Sequence, residues 1–256
     1  MMRQINSLFI FSWLLFFSVH SFAAEINAKL DWSDLRRLGT TVSGKVTQVN
    51  VRPGVVVEKD TVLVELDQRF FKVNQERTRA ERRAALLQLE EALREQDRAI
   101  ELYDRTVISD YERQQADIQL SAARAKYAHA QAEYERAKLE QEYSLIVSPY
   151  DAVIISVDTA IGEVVVNENE SRVLVEVARA DQMLSLAEVS SEQVAGVNVD
   201  DEIEVAFRGK WQDGQVDSIT PLKPGADQKY LLSVRFAVSP EAAARSGESS
   251  AIRLPD

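Results

Sequence analysis

Across residues 68–142 apolar residues recur with the period of a helix, and on both sides of that run they alternate with the period of a strand. Leu86, Leu89, Leu93, Ile100 and Tyr103 stand three, four and seven apart. After a break near residues 104–108, Ala116, Leu120, Ala123, Tyr127, Ala130, Tyr134 and Ala137 alternate strictly by four and three. A second series, Tyr111, Ile118, Ala125, Ala132 and Leu139, runs beside it at intervals of seven. Such repeats are the sequence form of coiled-coil packing. Two long helices with one short break predict an antiparallel hairpin. Each arm has about 33 residues, hence roughly 50 Å of helix. The second series predicts an apolar stripe that one partner helix leaves uncovered. It reads either as one broad core face or as a surface for a neighbouring hairpin in an oligomer.

All nine glycines and all six prolines fall outside residues 55–148, and that gap isolates the hairpin, because Gly and Pro mark turns and interrupt helices. The flanks have strand grammar. VSGKVTQVNVRPGVVVEKDTVLVELD (42–67) shows short β-branched runs broken at Gly44, Pro53-Gly54 and Lys59-Asp60. LIVSPYDAVIISVDTAIGEVVVNENESRVLVEV (145–177) repeats it, with turns at Pro149, near Gly162 and at Asn167–Asn169. Each half carries a triple valine (Val55–Val57; Val164–Val166) between apolar strands. Neither is long enough for its own core, so the two are expected to face each other as one small sandwich with the hairpin inserted between them. Residues 179–256 hold five or six short strand candidates, including EIEVAFRG, GQVDSITP and YLLSVRFAV, which suggest a small barrel or sandwich. SSEQVAGV (190–197) has the cap of one short helix.

Composition narrows the chemistry. The chain has no cysteine, so disulfides, thiolate metal sites and cysteine nucleophiles are excluded. Arg3, the apolar stretch Leu8–Val19 and the small residues of Ser21-Phe22-Ala23 read as a secretory leader over 1–23, with a mature start at Ala24. A stretch of twelve residues, ten of them apolar, is short for a membrane span, which needs about 20. An uncleaved leader would instead anchor the chain to the inner membrane. His20 leaves with the leader, and His129 sits mid-helix among alanines, so histidine catalysis and multi-histidine metal sites are disfavoured. The net charge of −11 repels phosphate backbones and argues against nucleic acid. Residues 68–142 carry fourteen basic and fifteen acidic side chains, the balance of solvated helix faces. No cofactor, metal or catalytic constellation is expected.

In order and motif, the chain resembles the membrane fusion proteins of the HlyD/RND-adaptor type, the periplasmic adaptors of tripartite efflux pumps. VSGKVTQVNVRPGVVVEKDTVLVELD looks like the family's first half-domain, SPYDAVI like its Ala-Pro-Phe-Asp-Gly-Val element, and GQVDSITP like its Gly-x-Val-x-x-Ile-x-Pro barrel strand. Asp60 and Asn167 replace glycines usual in two turns, which Asp and Asn tolerate because they reach the left-handed region more readily than most residues. Ala152 replaces another glycine.

The resemblance implies an α+β fold, mostly β, with a long antiparallel α-helical hairpin inserted between two halves of a lipoyl-like β-sandwich and a small β-barrel after it. The implied boundaries are a leader at 1–23, a first lipoyl-like half with an N-terminal strand at 24–67, the hairpin at 68–142, the second half at 143–178 and the barrel at 179–256. A lipoyl carrier would need an exposed lysine on the turn that the hairpin occupies; Lys72 already lies inside the helix, so no modified lysine is expected.

The family's hairpin tip carries Arg, three residues, Leu, six residues, Ser, and Arg98, Leu102 and Ser109 fit that spacing. By resemblance, these three meet a TolC-like outer-membrane channel, and the β domains meet an inner-membrane transporter, RND type being favoured over ABC type. The resemblance further implies self-assembly as a trimer or hexamer. Each tip residue also has a plainer reading: Ser109 opens a capping box with Glu112, Arg98 is a solvated helix arginine, and Leu102 packs the tip. Two other classes remain open, an adaptor of an ATP-driven secretion system and a structural coiled-coil protein of the envelope.

Overall fold

The structure is a computed structural model that describes residues 25–167, 172–222 and 228–255. The leader with His20, and Asn169 of the second turn, lie outside the described residues. In chain order the elements begin with β1 (Glu25–Trp32), β2 (Arg36–Leu38), β3 (Gly44–Val49), β4 (Val56–Val57) and β5 (Val62–Leu66). The helices α1 (Gln68–Asp104) and α2 (Asp110–Tyr143) follow, then β6 (Leu145–Val147), β7 (Ala152–Val157), β8 (Val164–Val165), β9 (Val175–Arg179) and β10 (Gln182–Ser190). A short α3 (Ser191–Val194), capped by Ser190 and Gln193, leads to β11 (Glu202–Phe207), β12 (Lys210–Pro221), β13 (Lys229–Ala237) and β14 (Ser249–Arg253). Two compact units divide the described residues: Glu25–Leu30 with those of Ser185–Phe236 and Gly247 onward, and those of Asp31–Leu184 with Ala237–Ser246.

Two four-stranded sheets, β2-β9-β7-β4 and β6-β5-β3-β8, form the sandwich of the larger unit. The two sequence halves form one sandwich, as expected, but neither makes a sheet by itself. They interleave: β4 pairs with β7, and β8 pairs with β3, so each sheet takes two strands from each half. Interleaving places Val165 of one triple valine in a core made with Val46, Leu63, Val64, Leu66, Ile146, Ala152, Ile154, Leu174, Val175 and Val177, and packs Val57 of the other against it. Asp60 takes the left-handed conformation (φ 62°) expected of it, and its N–H donates to Ser148 O at 2.8 Å. Gly44 is small for a packing reason, since a Cβ there would lie 3.2 Å from Leu66 Cδ1.

The hairpin grows from the connection between β5 and β6, which are themselves paired. Asp67 caps α1, its Oδ1 accepting from Arg69 N–H at 3.1 Å. The Arg69 guanidinium hydrogen-bonded to the same carboxyl lowers its pKa from 3.8 to about 2. On α2 the four-and-three series faces α1, with Leu120 and Ala137 buried and Ala116, Ala123, Tyr127, Ala130 and Tyr134 half-buried. On α1 the buried seam is Phe71, Thr78 and Ala85, seven apart, with Leu89 half-buried. Leu86, Ile100 and Tyr103 flank that seam and stay exposed. Of the apolar α1 series, Leu89 and Leu93 are thus half-buried and the other three exposed, because the fully buried seam positions go to Thr78 and Ala85 as well as Phe71. The interface also takes polar groups: Arg82 lies 4.3 Å over the Tyr134 ring, and Gln96 Nε2 donates to Asp117 Oδ1 at 2.7 Å. The second series of α2 is uncovered, with Tyr111, Ile118 and Leu139 exposed by 69, 59 and 45%. It lies two positions from the seam, about 200° around the helix.

The smaller unit is built on a closed barrel of order β1-β10-β13-β12-β11-β14. β1 belongs here and not with residues 36–66, where the sequence grouping placed it. Its alternating Ala28 and Leu30 turn inward, and pairing with β14 (Glu25↔Arg253) closes the edge that five strands would leave open. Val205, Val216, Leu232, Val234 and Ile252 fill the interior. Gly214 opens the GQVDSITP segment because a Cβ there would sit 2.8 Å from Val234 Cγ1 and 3.1 Å from Arg235 O.

Candidate functional site at the hairpin tip

How a chain reverses without glycine or proline is settled at residues 102–109. α1 ends at Asp104 with Arg105 as its C-cap, and Thr106 takes the left-handed conformation (φ 62°). Thr106 N–H then donates to Tyr103 O at 2.8 Å and Val107 N–H to Leu102 O at 2.9 Å. Those two bonds make a Schellman ending, in which the left-handed position is usually glycine. A β-branched residue there is strained. Ser109 opens α2: its Oγ accepts from Glu112 N–H at 3.3 Å, and Glu112 Oε2 accepts from Ser109 N–H at 2.8 Å and from Ser109 Oγ at 2.9 Å. The backbone and hydroxyl donors of Ser109 hold the Glu112 carboxyl below the ordinary range and keep it charged.

Arg98 and Leu102 stand one turn apart on α1 and share a shallow cleft of about 220 Å³ with Ile108, Glu112 and Gln115. Arg98 is 65% exposed and pairs with Glu95 at 3.0 Å; Leu102 is half-buried. Ser109 is exposed and does not line the cleft, but its capping partner Glu112 does. The structure therefore brings Arg98 and Leu102 together and sets Ser109 beside them through one carboxylate. Val107 and Tyr111 add exposed apolar surface of 65 and 69% at the same end. Chemically the tip offers a guanidinium with planar donors, a carboxylate and apolar side chains, with His129 far along α2 and exposed.

No family model matches the chain, and no curated protein matches it by sequence. Solved structures do match. A chimera of MacA and MexA that carries the Pseudomonas aeruginosa MexA α-hairpin aligns over 91% of this chain and 79% of its own, at 20% identity and a TM-score of 0.66. The membrane fusion protein Spr0693 of Streptococcus pneumoniae R6 aligns over 91% and 98%, at 16% identity and 0.65. MacA of Actinobacillus actinomycetemcomitans aligns over 91% and 78%, at 20% and 0.56. This chain has the membrane fusion protein fold.

Within that fold, sequence reasoning missed the polar clamp that braces the tip. Arg113 donates to Asp110 at 2.9 Å and Asp117 at 2.9 Å, lies 5.5 Å over the Tyr103 ring, and leaves Asp117 to accept also from Gln96 of α1. Hydrogen bonding to Asp110 raises the Arg113 pKa further. The i, i+3, i+7 spacing of Asp110, Arg113 and Asp117 was a readable signal; its partner on the other helix was not.

Proposed function

We propose that this chain is a periplasmic adaptor of a tripartite efflux system, joining an RND-type inner-membrane transporter to a TolC-like outer-membrane channel. It acts by geometry and carries out no chemistry of its own. What supports the reading most is the conjunction of a membrane fusion fold over nine-tenths of the chain with a hairpin tip where Arg98 and Leu102 share a cleft beside capped Ser109. The leader over 1–23 would deliver it to the periplasm, and among the described residues no helix is long and apolar enough to cross a membrane. The uncovered stripe of α2, from Tyr111 to Leu139, would pack against the hairpin of a neighbouring copy in a trimer or hexamer.

The test is channel capture by tip variants. Arg98→Glu and Leu102→Asp are expected to lose an outer-membrane channel in pull-downs from solubilised envelopes, and to lose export, with helicity unchanged. Ser109→Asp keeps a capping side chain, so any loss there reports contact rather than folding. Retained capture and export in Arg98→Glu and Leu102→Asp would refute the docking role.

A further inference from the structure

A second cavity, of about 400 Å³, lies within the unit formed by residues 31–184 and 237–246. Small-molecule sites occupy about 300–1,000 Å³ and are mostly apolar with a few placed polar groups. This one has that make-up. Trp32, Val56, Val153, Ile155 and Met183 supply apolar wall, and the charged lining residues are Arg179 and Arg245, in a chain of net charge −11. Met183 is fully packed, whereas Trp32, Val153 and Ile155 are half-buried and so line an open space.

The wall is built rather than incidental. The segment after β13 is pinned by Val238 N–H donating to Asp181 O at 2.9 Å and by Ser246 Oγ donating to Asp31 Oδ1 at 3.0 Å. Between those pins a 3₁₀ turn (Pro240–Ala242) ends at Ala243, held in the left-handed conformation at φ 45°, ψ 46°. Backbone strain of that kind persists only where the surroundings fix it, and it gathers at ligand sites. Arg179 is also fixed: its Nε and Nη2 donate to Asp181 at 2.8 Å each, and it lies 5.5 Å from the Tyr150 ring centre. A guanidinium held in one orientation loses little freedom on meeting a ligand.

We propose that this cavity binds a small amphipathic organic anion, its apolar body against Trp32, Val153 and Ile155 and its acidic group at the Arg179–Arg245 side. The site does not depend on the adaptor reading. Trp32 gives it an internal reporter, because replacing Trp211 leaves Trp32 as the sole tryptophan of residues 24–256.

The experiment titrates the Trp211→Phe chain, residues 24–256, with decanoate and with decanol as its neutral counterpart, reading Trp32 emission. Saturable one-to-one binding of decanoate is expected. Ala244→Phe, which fills the cavity, is expected to weaken it at least about tenfold. Arg179→Met paired with Asp181→Asn removes the charge without orphaning Asp181; it is expected to weaken decanoate but not decanol, with thermal melting confirming the fold. No saturable response up to about 1 mM decanoate, or a response that Ala244→Phe leaves intact, overturns the site. Equal binding of acid and alcohol, unmoved by the Arg179 variant, overturns the anion assignment.

Discussion

The sandwich and the hairpin share one unit and are held together by different physics. In the sandwich, Leu63, Val64, Leu66 and Leu174 are wholly buried, each burial contributing about 1.5–3 kcal/mol. The hairpin spends 37 and 34 residues on its two helices, yet its buried side chains are Gln68, Phe71, Thr78, Ala85, Leu120 and Ala137. Its order rests instead on helix-forming residues, caps and exposed ion pairs such as Arg77–Glu81 and Arg136–Glu140, worth about 0.3–0.5 kcal/mol each. A region with so little burial opens locally at low cost. The difference is one of covering: the sandwich strands bury their apolar residues in a core of their own, and the hairpin leaves an apolar stripe and a tip cleft exposed.

Core truncations give the widest contrast. Leu63→Ala should lower global stability by about 2–5 kcal/mol in denaturant unfolding. Leu120→Ala, although 1% exposed, should act within the hairpin: amide exchange in α1 and α2 accelerates while sandwich amides keep their protection. If the two changes lowered every amide alike, the contrast between the regions would vanish. Next in size, Ser109→Ala should cost about 1 kcal/mol by removing the cap, and Ser109→Asp should recover most of it, read by exchange at the start of α2. Thr106→Gly works in the other direction, relieving left-handed strain and slowing tip exchange by about 1 kcal/mol.

The smallest effect is a pH dependence at the hairpin base. Asp67 has a folded pKa of about 2 against an ordinary 3.8, so its contribution is present above about pH 4 and lost as pH falls towards 2. Asp67→Asn keeps a capping side chain and should flatten that part of the melting-temperature profile. An unchanged profile would show that the Arg69 pair contributes nothing to stability.

The sequence displayed the hairpin, its break and the capping box plainly, because each rests on local spacing that long stretches repeat. It displayed the uncovered α2 stripe as well, since a seven-residue series survives whatever packs on it. What it hid depended on distant partners. The α1 seam of Phe71, Thr78 and Ala85 has no apolar rhythm of its own and is set by the alanines of α2. The interleaving of β4 and β8, and the capture of β1 by the barrel, are choices between equally good strand edges. Thr106 gave no sign, because its conformation is imposed by Leu102 and Tyr103 carbonyls. At the tip, Arg98 and Leu102 were legible as neighbours on one face, whereas the clamp from Arg113 through Asp117 to Gln96 needed the second helix in place.

The central claim is that the tip meets an outer-membrane channel. The absence of cysteine allows its most direct test. A single Val107→Cys, at a side 65% exposed, would carry a short photo-crosslinker in intact cells, with adducts identified by mass spectrometry. Adducts to an outer-membrane channel are the expected result. Adducts confined to this chain or to soluble periplasmic proteins would contradict the claim and favour a structural coiled-coil role.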